Sequence, residues 1–90
     1  MLEPIYTTLF RKQFKLMQRR SLDINKLRNV MAMLINEQPL PPERKNHPLQ
    51  GEWKGSLECH IQGDWVLIYE IDSAAHIVTF HRTGSHSDLF

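Results

Sequence analysis

The chain has 90 residues, is 41 % hydrophobic and 23 % charged, and carries a formal net charge of +1. This is enough for one small folded domain over residues 1–90 and leaves no room for a second core. No apolar run reaches the roughly 18 residues of a membrane span. No basic start with an apolar h-region opens the chain, so no secretory signal is expected. The single cysteine excludes an internal disulfide framework and fits a reducing, cytoplasmic setting with no membrane partner.

The charge is unevenly spread. Residues 1–20 hold Arg11, Lys12, Lys15, Arg19 and Arg20 against Glu3 alone. Residues 55–90 hold Glu58, Asp64, Glu70, Asp72 and Asp88 against Arg82 alone. The basic half suits a polyanion, and equally suits a solvated helix face.

Leu2 to Tyr6 predicts a short edge strand, with Pro4 arguing against a central place. Thr7 or Thr8 caps a helix running to about Arg20, with Phe10, Phe14 and Met17 on one stripe. Ser21 or Asp23 caps a second helix to about Asn36, with Leu27, Val30, Met31, Leu34 and Ile35 at helical spacing. The short gap between them predicts an antiparallel helical hairpin. Pro39, Pro41, Pro42 and Pro48 forbid a regular helix over 38–48. In that stretch Arg44, Lys45 and His47 sit on a partly stiffened loop.

From Ser56 the period becomes two. Leu57, Cys59 and Ile61 alternate with Glu58, His60 and Gln62, as in a half-buried strand. Gly63-Asp64 is a turn. Trp65 to Ile71 is apolar on both faces and reads as a central strand. Ile77 to Arg82 is a third strand, which Thr83-Gly84-Ser85 ends, and residues 86–90 form a tail. The expected fold is α+β: two N-terminal antiparallel helices on one face of a small, mostly antiparallel sheet, with the other face open.

Two segments concentrate reactive side chains, HPLQGEWKGSLECHIQGDW at residues 47–65 and HRTGSHSDLF at 81–90. If they meet on the open face, they bring together His47, His60, Asp64, Arg82 and His86. Histidines that exchange protons near neutral pH, an acid and an arginine suit the splitting of a phosphodiester. One group takes the proton of a ribose 2′-hydroxyl and another protonates the departing 5′ oxygen. A guanidinium steadies the phosphate. The nucleophile belongs to the substrate, so no metal or cofactor is expected.

Strand alternation turns His60 away from the helices. It sets Arg82 on the face of Val78 and Phe80, and His81 on the other. Of that pair Arg82 is preferred for the site, because its forked donors match a phosphate. His76 and His81 read as surface or turn residues. The plainer readings are a surface histidine, Asp64 as a turn former, and Trp53 and Trp65 as packing. A metal site is weaker still. Cys59, His60, His81 and His86 are available ligands, but no CxxC or HxxxH pair occurs.

The motifs HPLQGEWKG, ECHIQGDWVLIYEI and HRTGSHSDLF, in this order and behind NKLRNVMAMLINEQPLP, resemble the YafQ-type branch of the RelE/ParE toxin superfamily over nearly the whole chain. That resemblance implies a bacterial toxin of a type II toxin–antitoxin pair, acting as an mRNA endoribonuclease in the ribosomal A site. The implied partners are the ribosome, mRNA and a DinJ- or RelB-like antitoxin. Carried onto this sequence, it implies His86 as general acid and Asp64 or His60 as base. Arg82 would hold the phosphate, His47 would orient substrate or share the proton work, and Phe90 would stack on a base. Lys54, Arg44 and Lys45 are expected phosphate contacts on weaker grounds. The alternatives are a toxin of this fold that poisons a protein such as gyrase, as the ParE branch does, and an inert or metal-binding interaction module.

Overall fold

A computed structural model describes residues 1–90. Strand β1 (Glu3–Tyr6) is followed by helices α1 (Thr8–Arg19) and α2 (Ile24–Ile35), then by strands β2 (His47–Pro48), β3 (Leu57–Gln62), β4 (Trp65–Asp72) and β5 (Ile77–Ser85). A short helix, α3 (His86–Leu89), closes the chain. One sheet runs in the order β1-β5-β4-β3-β2. Only the β1–β5 pair is parallel. The helices do pack on one face of a mostly antiparallel sheet.

The helix starts follow from capping. The Thr7 side chain accepts from the Phe10 backbone N–H, and the Asp23 side chain from that of Asn25, meeting donors that a first turn leaves free. Ser21, at φ 61, turns the chain between the helices. The two helices line one groove, with the Arg28 guanidinium of α2 lying 5.6 Å from the Phe14 ring of α1.

The main core lies between helices and sheet. Phe10, Met17, Leu27, Val30 and Leu34 meet Cys59, Ile61, Trp65, Leu67, Tyr69, Val78 and Phe80. The Phe80 ring stacks on Tyr6 at 5.6 Å and meets Phe10 at 5.7 Å. Inside this layer the Trp65 indole N–H donates to Thr83 Oγ1, whose hydroxyl donates to the Val66 carbonyl. A buried indole and hydroxyl are thereby both satisfied.

The other face is not fully open. Val66 and Ile68 are wholly buried there, covered by Leu89 of α3 and by Leu49 and Trp53. A strand apolar on both sides needs cover on both sides, and the 49–53 loop and α3 supply it. Strand β5 also runs on to Ser85 rather than stopping at Arg82. Ser85 then caps α3: its hydroxyl accepts from the Asp88 N–H, and Asp88 accepts from the Ser85 N–H.

Candidate active site

The second sheet face carries the site, and strand register builds it. Glu58 pairs with His47 on β2 and with Ile68 on β4, and Ile68 pairs with Arg82 on β5. The next row is His60, Val66 and Gly84. Helix α3 lies over this second row. A Cβ on Gly84 would stand 3.2 Å from both Asp88 Cβ and Oδ2, so any larger residue would push the helix outward by a few tenths of an ångström.

Arg82 reaches this face because the alternation breaks. Tyr69 pairs with Phe80 and Ile68 with Arg82, so His81 is an extra residue between the two pairs. This β-bulge reverses the facing of everything after it. Strict alternation had put Arg82 with Val78 and Phe80 on the helix side; the bulge corrects that. His81 itself lies 3.2 Å from Glu70 Oε1, and His76 is an exposed turn residue at φ 58.

At the centre is Glu58, which strand period alone marks only as polar. Glu58 is 1 % exposed and its Oε1 collects three imidazoles. The Nε2 atoms of His86, His60 and His47 lie 2.9, 3.6 and 3.7 Å away. The signal was present in the sequence, since Glu58 precedes His60 by two and so shares its face. It was read there only as the polar half of an alternation.

Backbone contacts fix the rings. His47 Nδ1 lies 2.7 Å from the Lys45 carbonyl and His60 Nδ1 lies 3.3 Å from that of Gly63. A carbonyl only accepts, so both Nδ1 atoms carry hydrogen and both Nε2 atoms can gain a proton. Against His86, the carboxylate of Glu58 accepts from Nε2. The His60 and His86 rings are 5.8 Å apart.

The remaining candidates occupy different places. Asp64 is exposed on the β3–β4 turn, and its carbonyl accepts from the His86 backbone N–H. Arg82 lies 5.7 Å from the Trp53 ring and donates to the Leu89 carbonyl, with its Nε buried and unpartnered. Phe90 is 59 % exposed and lies 5.4 Å from the His86 ring and 6.3 Å from Trp53. These contacts bring His47, His60, Arg82, His86 and Phe90 to one surface, together with Glu58 and Trp53.

Arg44 instead points at β3, where it donates to the Ile61 carbonyl at 2.5 Å. Lys45 contributes its carbonyl to His47, while its side chain and that of Lys54 are exposed. The donor atoms of Glu58, His60 and His86 all lie within 4.8 Å of one another, a set that fits a transition-metal ion.

A two-helix layer on such a sheet, with this cluster on its far side, defines the class of small bacterial toxins that work in toxin–antitoxin pairs. The family model described as "Bacterial toxin of type II toxin-antitoxin system, YafQ" matches residues 2–90. The chain is 45 % identical over 86 residues to the mRNA interferase toxin YafQ of Escherichia coli K12, covering 94 % of this chain and 91 % of that protein. The crystal structure of YafQ from E. coli BL21(DE3) superposes with a TM-score of 0.94 at 42 % identity, over 100 % of this chain and 99 % of that one. YafQ in the E. coli DinJ–YafQ complex gives 0.92 at 43 %, with the same coverage. A metal-bound toxin from Helicobacter pylori gives 0.92 at 38 %, over the whole of both chains. The chain belongs to the YafQ toxin family.

Proposed function

We propose that this toxin is an endoribonuclease that cuts mRNA on the translating ribosome by 2′-hydroxyl attack, in the cytoplasm and as one folded unit over residues 1–90. The observation that carries the reading is the buried Glu58 oxygen with three imidazole Nε2 atoms within 3.7 Å. A toxin acting by binding alone has no use for four interacting proton carriers on one surface.

In this scheme His60 Nε2 takes the proton of the 2′-hydroxyl, and that oxygen attacks the adjacent phosphorus. The bond to the 5′ oxygen breaks, and His86 gives that oxygen its proton. The products are a 2′,3′-cyclic phosphate and a free 5′-hydroxyl. Glu58, beneath both rings, takes up the charge that passes between them. His47 completes the set from β2. Arg82, braced on Trp53, faces the charge that builds on phosphorus. Phe90 offers an exposed ring to a neighbouring base. Asp64 holds His86 through its carbonyl and keeps its carboxylate in solvent at the mouth of the site, where it can share the base role.

No step here uses a metal. An ion held by Glu58, His60 and His86 would occupy the nitrogen atoms that the scheme needs for proton transfer. A chelator therefore leaves cleavage intact.

Ribosome dependence is part of this reading, and the low net charge limits how much phosphate contacts add to it. With a net charge of +1, binding rests on the flank of α1, where Lys12, Lys15 and Arg19 form a shallow cationic surface. Next to it a groove between α1 and α2 is lined by the half-buried Tyr6 and Phe14 over the buried Phe10 and Met31, and rimmed by Arg11, Lys15 and Arg28. An acidic, amphipathic segment of a DinJ-like antitoxin suits this groove, and it would cover cations that otherwise meet RNA.

Primer extension on translated mRNA tests the reading. The native chain should produce discrete 5′ ends within coding sequence, and His86→Gln should produce none. Equal cutting by the two, or equal cutting of naked RNA, would overturn the scheme or its ribosome dependence respectively.

A further inference from the structure

We infer that Arg20, at the far end of the helical hairpin, is a positioning residue for the cleavage reaction: through Asp88 it holds α3, and with it His86, against Glu58. The inference rests on the nuclease reading above.

Helix α3 has four residues, too few to hold itself together in water. Its place on the sheet depends on outside contacts. Leu89 is buried on Val66 and Ile68, and the Leu89 carbonyl accepts from Arg82. The His86 backbone N–H donates to the Asp64 carbonyl, and a further contact comes from the helical layer. Arg20, the C-terminal cap of α1, donates from Nη1 to Asp88 Oδ2 at 2.7 Å and from Nη2 to Oδ1 at 3.4 Å. The same Oδ2 accepts from the Ser85 N–H at 3.0 Å, closing the capping box directly before His86. Arg20 therefore grips the one carboxylate that shapes the turn carrying the general acid. A forked guanidinium–carboxylate pair fixes orientation as well as distance.

The pair is also placed where stability gains little from it. Both side chains are partly in solvent, at 45 % and 31 % exposure, and an ion pair of this kind adds little to folding. A geometric role is left, because His86 Nε2 must stay within hydrogen-bond reach of Glu58. Arg20 lies on a different element from every residue of the site, so it also links the hairpin to the catalytic turn.

The test compares the native chain, Arg20→Gln and Arg20→Lys on programmed ribosomes, with melting temperatures measured alongside. Arg20→Gln should lower kcat roughly five- to twentyfold, with KM and melting temperature near native. Arg20→Lys, which keeps one charged contact, should recover most of the loss. An unchanged kcat in Arg20→Gln overturns the inference. So does a rise in KM alone, which would make Arg20 an RNA contact. So does a fall in melting temperature that accounts for the lost activity. These outcomes leave the nuclease reading standing, since that reading fails only if the native chain does not cut.

Discussion

The Glu58 carboxylate lies 2.9 Å from His86 Nε2 although 28 residues separate them in the chain. Strand β3 supplies one partner from the buried side of the site and α3 supplies the other from the solvent side. Glu58→Gln keeps the volume and removes the charge, and at His86 it turns a carboxylate that only accepts into an amide that also donates. It is expected to lower the cleavage rate by about 10²-fold or more while the chain stays folded. Single-turnover cleavage with circular dichroism on the same samples checks this. A folded Glu58→Gln toxin of native rate would remove Glu58 from the proton scheme.

The helical layer is held by aromatic packing. Phe80→Ala deletes a wholly buried ring that touches both Tyr6 and Phe10. The expected cost is about 3–5 kcal/mol in urea unfolding, a large share of the stability of a domain this size. Toxicity in cells should fall with abundance, although Phe80 is on the far side of the sheet from the cluster. A loss below about 1 kcal/mol would mean the core repacks around the void.

Cys59 gives a probe of the closed core. Burial pushes its thiol up to about 12, with nearby Arg44 opposing the shift. The thiolate is the form that alkylates, so the native chain should resist iodoacetamide at pH 8 and label only on unfolding. The sign for stability follows. The folded state holds the proton more tightly, so this contribution is full below the ordinary thiol range and is lost as pH rises from about 9 toward 12. Rapid labelling at pH 8 without denaturant would show that β3 opens far more easily than its packing implies.

Most of the architecture was legible in the sequence, for local reasons. Thr7 and Asp23 mark the helix starts by capping, and Phe10, Phe14 and Met17 mark the buried stripe by period. The period-two pattern of Leu57 to Gln62 gave β3. The bulge at His81 was not legible, because nothing local to that strand signals an extra residue. It is a property of pairing with β4. The two-residue strand β2, which depends on the pairings of His47 with Glu58 and Pro48 with Leu57 in β3, was hidden for the same reason. Glu58 was legible by parity with His60, but an acid in an alternating strand reads as solvent-facing until α3 and the histidines are known to cover it. Trp53 was read as packing, and it does pack, with Arg82 held against its ring.

The groove between α1 and α2 gives a prediction separate from catalysis. Phe14→Asp places a carboxylate among Tyr6, Phe10 and Met31, where an acidic partner segment would be repelled. The affinity for the antitoxin is expected to fall roughly 100-fold in isothermal titration, with cleavage near native. Unchanged affinity would move the antitoxin to another surface.

The most direct measurement replaces one atom of the substrate. An mRNA carrying a single 2′-deoxynucleotide on the 5′ side of the cleavage position is translated with the native toxin, and the ends are mapped. The scheme predicts no cut at the deoxy position, with the all-ribose control cut there and ending in a 2′,3′-cyclic phosphate. A cut at the deoxy position would show that the nucleophile comes from elsewhere and contradict the proposed chemistry.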